Sequence, residues 1–252
     1  MAVTTPMWTQ RQLTANLIDI GLPCGSVVLV HVAPDAIGPI TDGVETLLNA
    51  FREALGNDGT LLVPAFGVPA EDSFEAVVLR QPDVYRSEHP VFSFAALGAE
   101  AEALTSHVPF HYPLGSEGPL ARLHQRNGWI LLIGVDQQQN TSLHLAEIWA
   151  NVPYVHRSRT IPTDSGEGTT MAGNPECSAG FAKIELLLRQ SRILRLGLIG
   201  SAESRLMRQQ QTVSMAVAML HGNPSALLCD EEGCLACAAA RRMTAEQIVE
   251  PI

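Results

Sequence analysis

The chain lacks any apolar run long enough to cross a membrane. Its longest apolar runs fall well short of the roughly 20 residues that a transmembrane helix needs. The opening segment, MAVTTPMWTQRQL, also lacks a basic stretch followed by an apolar core, which is the pattern of a secretory signal. We therefore expect a cytoplasmic protein that does not have a membrane as a partner.

Basic residues are scarce. Lysine and arginine total 16 against 26 aspartates and glutamates, which gives a formal net charge of −10. A nucleic-acid-binding protein needs a basic face, so this balance argues against nucleic acid as a partner. It agrees with a polycationic small molecule as a partner, because an acidic cleft steers cations toward it. Many soluble proteins are equally acidic, so charge alone does not choose the substrate.

Several recurrent patterns are also missing from the sequence. There is no internal repeat, heptad pattern or low-complexity tract, which excludes solenoids and coiled coils. No Gly-x-Gly-x-x-Gly follows a predicted strand, which disfavours a dinucleotide-dependent dehydrogenase. Hydrophobic residues make up 46% of the chain and charged residues only 17%, so a sizeable core is expected and general disorder is not.

Predicted strands and helices alternate along the chain. Strands are expected at Val27–Val30, Thr60–Pro64, Trp129–Val135 and Leu194–Ile199, and the longer helices at Thr9–Ile20, 41–55 (with Thr41 or Asp42 as cap), Phe181–Arg192 and Ala202–Leu220. Val27–Val30 is too evenly apolar for a half-exposed strand, which favours a central, parallel one. We predict an α/β fold in a single domain, 1–252, with a central, mostly parallel sheet flanked by helices. Loop-rich insertions at 67–93 and 107–119 would line the cleft.

Residues 134–147, GVDQQQNTSLHLAE, carry the strongest chemical signal. A buried strand precedes them, and the helix that follows would be capped by Asn140, Thr141 or Ser142. His144 is thus predicted in the first helical turn, beside the carboxyl end of a strand, where α/β folds usually place their chemistry. A histidine there can act as a general base near neutral pH, or it can simply satisfy a buried hydrogen bond.

The same block resembles the signature of a known enzyme family. Written as GVxxxxNTSLHLAE, it looks like the motif of the antibiotic N-acetyltransferase family, the aminoglycoside 3-N-acetyltransferases that use acetyl-CoA. Further segments resemble that family in the same order along nearly the whole chain: SVVLVH (26–31), LGNDGTLLVPAF (55–66), RSEHPVFSFAALG (86–98), GPLARL (118–123) and SRLMRQQ (204–210). Each segment is weak alone, and their order makes the resemblance strong.

The resemblance implies an antibiotic N-acetyltransferase-like fold and acetyl-CoA-dependent N-acetylation of the 3-amino group of an aminoglycoside. His144 would take the proton of the acceptor amine directly within a ternary complex, without a covalent enzyme intermediate. Glu147 belongs to the same motif, shares a helix face with His144 at i,i+3, and would fix the imidazole tautomer. Asp136, Glu71 and Asp72 are candidates for holding the cationic sugar, although each could equally be solvated surface.

One acid that the family uses downstream is missing from its expected place. The resemblance puts an acidic residue that assists the histidine near residues 171–174, where this chain has Met-Ala-Gly-Asn. The nearest acids are Glu167, Glu176 and Glu185. This departure leaves the supporting carboxylate of the mechanism open.

The loop after the first strand is where the resemblance implies cofactor binding. In the family its backbone amides hold the CoA phosphates at a helix N-terminus. The corresponding cofactor-binding residues here are His31, Val32, Ala33, Gly38, Ile40 and Gly43. Val32 and Ala33 replace hydroxyl residues of the family, and Asp42 adds a negative charge near the phosphate position. A second loop implies contacts of Ser87 and His89 with the pantetheine end of CoA and of Arg86 with a phosphate, or else a turn fixed by Pro90.

Four cysteines suggest a structural zinc site. Cys234 and Cys237 have Cys-x-x-Cys spacing, Cys229 supplies a third thiolate, and Cys177 is the natural fourth ligand. The subgroup of the family that acts on apramycin and gentamicin resembles this chain in having a similar cysteine-containing tail. A closed four-thiolate site would be structural, because it leaves no coordination position for substrate. The alternatives are reduced, inert thiols or a redox-active pair.

Two further functions compete with the leading one. The departures at 32–33 and 171–174 favour a catalytically impaired relative that acts as a zinc-stapled binding protein. An N-acetyltransferase for a different amine is the other alternative. The sequence does not fix the oligomeric state, and a homodimer is left open.

Overall fold

The computed structural model describes residues 7–162, 168–173 and 176–249. The strands are β1 Val27–Val32, β2 Thr60–Pro64, β3 Tyr85–Arg86, β4 Phe94–Gly98, β5 Trp129–Ile133, β6 Ser158–Pro162, β7 Gly168–Ala172, β8 Arg195–Ile199 and β9 Ala202–Arg208. The α-helices are α1 Gln10–Asp19, α2 Pro34–Ile37, α3 Val44–Leu55, α4 Phe74–Leu79, α5 Ala101–Thr105, α6 Pro119–Gln125, α7 Ser142–Trp149, α8 Glu185–Gln190, α9 Gln209–Gly222 and α10 Leu235–Val249. Short 3₁₀ helices lie at Gln137–Gln139, Pro153–His156 and Ala179–Ile184.

Over these described residues, seven strands form one mixed sheet in the order β3-β4-β2-β1-β5-β9-β8, and β6 and β7 form a separate antiparallel pair. The α/β class and the flanking helices agree with the sequence prediction. The expectation of a mostly parallel sheet holds only at the centre, where β1 pairs in parallel with β2 and β5. The remaining pairings are antiparallel. Between β8 and β9 the reason is the two-residue connection, which only an antiparallel pair accommodates.

The prediction of one helix over Ala202–Leu220 is wrong at its N-terminal half. Residues Ala202–Arg208 form β9, and the helix α9 begins only at Gln209. Along β9, Ala202, Ser204 and Leu206 are buried and the residues between them are more exposed. Pairing with β5 on one side and β8 on the other stabilises this strand against the helical preference of its sequence.

The predicted loop at 67–93 also contains regular structure. It includes the helix α4 and the short strand β3. The hydroxyl of Ser73 caps the first turn of α4 by accepting the N–H of Ala76 at 3.2 Å. The predicted N-cap of α3 at Thr41 or Asp42 is likewise wrong. Gly43 occupies that position with φ +78° and makes no side-chain cap bond.

Side chains of the central strands alternate between two cores, one on each face of the sheet. Leu29, Leu62 and Leu132 belong to the core that also contains residues of α7, α9 and the 179–184 turn. Val30 and Leu131 belong to the opposite core, beneath α1 and α3. Because both faces are covered, the carboxyl ends of β1, β2 and β5 are where the loops that can carry chemistry gather. None of the helices described by the structure is long and apolar enough to cross a membrane.

Candidate active site

Helix α7 begins close to the carboxyl end of β5, after the short turn Gln137–Gln139. Thr141 occupies its N-cap position but makes no side-chain cap bond. The capping side chain is that of Asn140, whose Oδ1 accepts the N–H of Ser142 at 3.1 Å. Asn140 is itself held by Gln137, whose Oε1 accepts its Nδ2 at 2.9 Å. His144 therefore lies in the first turn of α7, as the sequence predicts.

His144 and Glu147 are in direct contact. Nδ1 of His144 lies 2.7 Å from Oε2 of Glu147, and the two side chains are 11% and 8% exposed. A carboxylate only accepts hydrogen bonds, so Nδ1 must donate, and this leaves the lone pair of a neutral imidazole on Nε2. The ring of Phe181 packs against the imidazole, with centroids 4.8 Å apart. The imidazole is thus oriented, and its proton-accepting nitrogen is defined.

A small cavity adjoins this pair. Its volume is about 40 Å³, and its lining includes His144, Glu147, Tyr154, Arg157 and Glu176. Pockets that enclose drug-sized ligands are roughly 300–1,000 Å³. An aminoglycoside therefore does not fit inside this space, and a substrate of that size would have to use the open surface next to it.

Of the downstream acids that the structure describes, Glu176 is the one that lines the same cavity as His144. It forms an ion pair with Arg157. Glu185 instead binds Arg189 and Arg205, which lie away from this cavity. Glu167 lies outside the described residues.

His31 lies at the end of β1 beside the N-terminus of α7. Its Nε2 is 3.3 Å from the hydroxyl oxygen of Thr141. Burial lowers the pKa of His31 to about 3, so this imidazole is neutral at pH 7. It lines a separate cavity of about 260 Å³ together with Phe66, Glu75 and Gln139. Burial raises the pKa of Glu75 in the same wall.

The loop from Val32 to Gly43 borders an open groove of about 350 Å³, lined by Gly38, Ile40 and Gly43 among others. The N–H groups of Ala33, Gly38 and Gly43 already donate to carbonyls of this chain. In the first turn of α3 the N–H of Thr46 also donates, to the carbonyl of Gly43 at 3.1 Å, so the backbone donors left for an anion at this helix start are those of Val44 and Glu45.

The segment Arg86–His89 is held by its own hydrogen bonds. Ser87 Oγ accepts the N–H of Phe94 at 2.8 Å, and His89 Nδ1 accepts the N–H of Phe92 at 2.8 Å. The Nε2 of His89 lies 3.3 Å from the carbonyl oxygen of Phe110, to which it can donate. Arg86 donates to the hydroxyl of Ser93. The polar atoms of Ser87 and His89 are buried and engaged, which favours the alternative of a turn over direct cofactor contacts.

The three acids proposed for the cationic sugar are separated. Asp136 Oδ1 accepts the N–H of Gln138 at 2.8 Å, and its side chain borders an open groove of about 500 Å³ that Glu203 also lines. Glu71 and Asp72 are exposed residues just before α4. None of the three acids lines the cavity of His144.

The four cysteines of the predicted metal site come together. The Sγ atoms of Cys177, Cys229, Cys234 and Cys237 all lie within 4.8 Å of one another. Lys183 clamps the segment that carries Cys229, because its Nζ donates to the carbonyl of Leu228 at 2.6 Å and to Asp230 at 2.8 Å.

The pKa values of three of these thiols are shifted, in opposite directions. The backbone N–H of Cys237 and the neighbouring thiols lower the pKa of Cys234 to about 7. Burial raises the pKa of Cys177 and of Cys237. Four thiolates so close together cannot all be charged without a cation among them. The donor set and its compactness therefore fit a tetrahedral zinc ion.

Sequence reasoning missed Tyr154 and Arg157. Tyr154 OH lies 3.2 Å from Oε1 of Glu147, and Arg157 pairs with Glu176 in the cavity wall. Both residues follow α7 in a segment, NVPYVHR, that has no motif of its own. Only the fold shows that they face the His144–Glu147 pair.

Comparisons with known proteins show the family to which the chain belongs. A family model described as aminoglycoside 3-N-acetyltransferase matches residues 29–221. The chain is 34% identical over 245 residues to aminoglycoside N(3)-acetyltransferase IV of a Salmonella species, covering 90% of this chain and 92% of that one.

Solved structures are similar over the same extent. Aminoglycoside acetyltransferase AAC(3)-IVa, as a histidine-to-alanine mutant in complex with a gentamicin, superposes with a TM-score of 0.87 at 33% identity, covering 96% of this chain and 99% of that one. The AAC-IIIb binary structure with CoASH gives a TM-score of 0.76 at 28% identity, covering 86% and 97%. The fold and these matches thus define an N-acetyltransferase. The chain belongs to the aminoglycoside 3-N-acetyltransferase family.

Proposed function

We propose that this protein, as one antibiotic N-acetyltransferase-like domain acting in the cytoplasm, transfers the acetyl group of acetyl-CoA to the 3-amino group of an aminoglycoside. The observation that carries the proposal is the 2.7 Å contact between His144 Nδ1 and Glu147 Oε2 at the start of α7. The contact lies within the part of the chain that matches the family model. A relative whose structure was solved with CoASH and another solved with a gentamicin support both co-substrates.

In the proposed reaction His144 is the general base. Its Nε2 takes a proton from the acceptor amine as the amine nitrogen attacks the thioester carbonyl. The tetrahedral intermediate then collapses, the carbon–sulfur bond breaks, and the imidazolium returns the proton to the CoA sulfur. Glu147 stabilises the imidazolium and keeps Nδ1 protonated, so that Nε2 is the basic nitrogen throughout. No bond between enzyme and acetyl group forms.

For CoA we propose the groove bordered by Gly38, Ile40 and Gly43. The N–H groups of Val44 and Glu45 at the start of α3 would meet the phosphates. The neutral imidazole of His31 lines a different cavity, so it would not contact them. Asp42 does not cap α3, and it precedes Gly43 in the chain, so its negative charge would lie near the proposed phosphate position. Backbone binding is compatible with Val32 and Ala33, since it does not require hydroxyl side chains.

For the cationic acceptor we propose acidic steering together with local carboxylates. Asp136 borders an open groove and is better placed for this role than Glu71 or Asp72, which lie before α4. The sugar rings would bind in the open grooves, and only the amine that is acetylated would lie next to His144.

We further propose that Cys177, Cys229, Cys234 and Cys237 hold a structural zinc ion. The support is the compactness of the four Sγ atoms and the partial burial of the cluster, with Cys229 and Cys237 buried. The zinc ion would cross-link the C-terminal tail, which carries Cys229, Cys234 and Cys237, to the segment that carries Cys177. A homodimer stays a prediction that size-exclusion chromatography with light scattering would test.

The experiment is a thiol-release assay with acetyl-CoA and an aminoglycoside panel that includes apramycin. Wild type, His144→Ala and His107→Ala are compared, the last as a matched control because His107 is an exposed histidine outside the site. Turnover in wild type and in the control but not in His144→Ala supports the proposal. Turnover only on other amines would redirect the substrate class.

Absence of turnover on every acceptor, with no calorimetric binding of CoA, would reject the enzyme. The impaired, zinc-stapled binding protein would then be the function that the fold supports best.

A further inference from the structure

Tyr154 and His144 contact different oxygens of the Glu147 carboxylate. Tyr154 lies in the 3₁₀ turn Pro153–His156 and is 8% exposed. Its hydroxyl oxygen is 3.2 Å from Oε1 of Glu147 and 3.2 Å from the carbonyl oxygen of Pro224. A phenol carries one proton, and of these two acceptors the charged carboxylate makes the stronger bond.

The two oxygens of Glu147 are therefore divided between two donors. Oε2 receives Nδ1–H of His144, and Oε1 receives the hydroxyl of Tyr154. The side chain of Glu147 is only 8% exposed, so its two oxygens depend mainly on these protein donors. Loss of the Tyr154 hydroxyl would leave Oε1 without a protein donor among the described residues and free the carboxylate to rotate.

The Tyr154 hydroxyl is suited to donate at all working pH values. Burial and the nearby Glu147 carboxylate raise the pKa of Tyr154, so the phenol stays protonated. The turn Pro153–His156 packs against α10, the helix that contains Cys237. The ring of Tyr154 belongs to the hydrophobic core. Tyr154 is consequently held in place by residues that do not take part in proton transfer.

We propose that Tyr154 is a positioning residue for the transferase reaction: its hydroxyl fixes the Glu147 carboxylate in the orientation that holds His144 with Nε2 free. This inference rests on the proposed function. Tyr154 touches neither the acceptor amine nor the thioester. It acts through Glu147, and its contribution disappears when Glu147 can no longer serve as the carboxylate partner.

A double-mutant cycle tests the inference. Tyr154→Phe keeps the ring and removes the hydroxyl, Glu147→Gln removes the charge, and Tyr85→Phe is the matched control because Tyr85 is a half-exposed tyrosine on β3. We expect Tyr154→Phe to lower kcat by about tenfold with KM for both substrates nearly unchanged, since a misplaced catalytic group costs rate rather than binding. In the Glu147→Gln background the same change should have less than about a twofold effect, because the coupled residue is already disabled.

Equal fold losses in both backgrounds, or an unchanged kcat in a folded Tyr154→Phe protein, would overturn the inference. Proton NMR gives a readout that does not need turnover and separates this inference from the proposed function. We expect a His144 Nδ1–H signal and a Tyr154 hydroxyl signal that are protected from solvent exchange in wild type. The His144 signal should broaden in Tyr154→Phe. Should that variant not fold, rapid exchange of the Tyr154 hydroxyl in wild type would itself contradict the proposal.

Discussion

Removing one thiolate from the Cys177–Cys229–Cys234–Cys237 cluster is the perturbation that we expect to have the largest structural effect. Tetrahedral zinc with Zn–S bonds of about 2.3 Å sets its sulfurs about 3.8 Å apart. The sulfurs here already lie within 4.8 Å of one another, so the site needs only a small contraction to bind zinc. We expect one zinc per chain by elemental analysis of protein purified without added chelator.

The magnitude follows from mass action. A metal present at 1,000 times its dissociation constant stabilises the folded state by about 4 kcal/mol. For a chain of this size, that corresponds to a lowering of Tm by roughly 8–16 °C when the metal is removed. The assay is thermal unfolding of wild type, Cys177→Ser and Cys24→Ser, each with and without chelator. Cys24 is the matched control because it is an exposed cysteine outside the cluster.

We expect Cys177→Ser to lose zinc and to unfold at the lower temperature whether or not chelator is present, and Cys24→Ser to behave like wild type. Stoichiometric zinc in Cys177→Ser, or a wild-type Tm that chelator does not change, would refute the reasoning. A closed thiolate site that binds metal this weakly would not staple the tail.

Two further predictions concern single charges. Because the pKa of His31 is lowered to about 3 in the folded state from 6.5, the unfolded chain binds more protons between these values. The contribution of neutral His31 to the unfolding free energy is therefore fully present above pH 6.5 and is lost as pH falls toward 3. His31→Gln should make the unfolding free energy, measured by denaturant titration, depend less on pH in this range. The same pH dependence in both proteins would contradict this prediction. Asp42→Asn removes a negative charge beside the first turn of α3 and should lower KM for acetyl-CoA by about two- to fivefold at low salt, with a smaller effect at high salt. The same KM in both proteins at low salt would place the phosphates elsewhere.

The sequence predicts those parts of the site that depend on local spacing. His144 and Glu147 share a helix face because they are three residues apart, and Cys234 and Cys237 are close for a similar reason. The partner of that helix face, Tyr154, comes from a different segment, so its hydrogen bond depends on how the turn at 153–156 packs against α7. No periodicity in the sequence contains that information.

The errors in the fold prediction have the same origin. The sequence pattern predicts one continuous helix over Ala202–Arg208 and the residues of α9. Strand β9 forms instead because β5 and β8 supply hydrogen-bonding partners on both sides. Ser87 and His89 are of residue types that could contact CoA. Whether their polar atoms are free depends on the turn they belong to, and there Phe94 and Phe92 already donate to them.

The clamp formed by Lys183 has a practical consequence for following the tail. Lys183 is the one lysine in the sequence, and its ammonium bonds the segment that leads into the cysteine cluster. A protease that cuts after lysine therefore has a single cleavage position in this sequence, and we expect it to be cut only when these bonds release and the 3₁₀ helix Ala179–Ile184 opens. An amine-directed label has that side chain and the chain's α-amino group as its targets. Limited digestion of the native protein would then show whether the segment that leads into the cysteine cluster is still bound to Lys183. Cleavage after Lys183 would indicate that it is released, and no cleavage that it is bound.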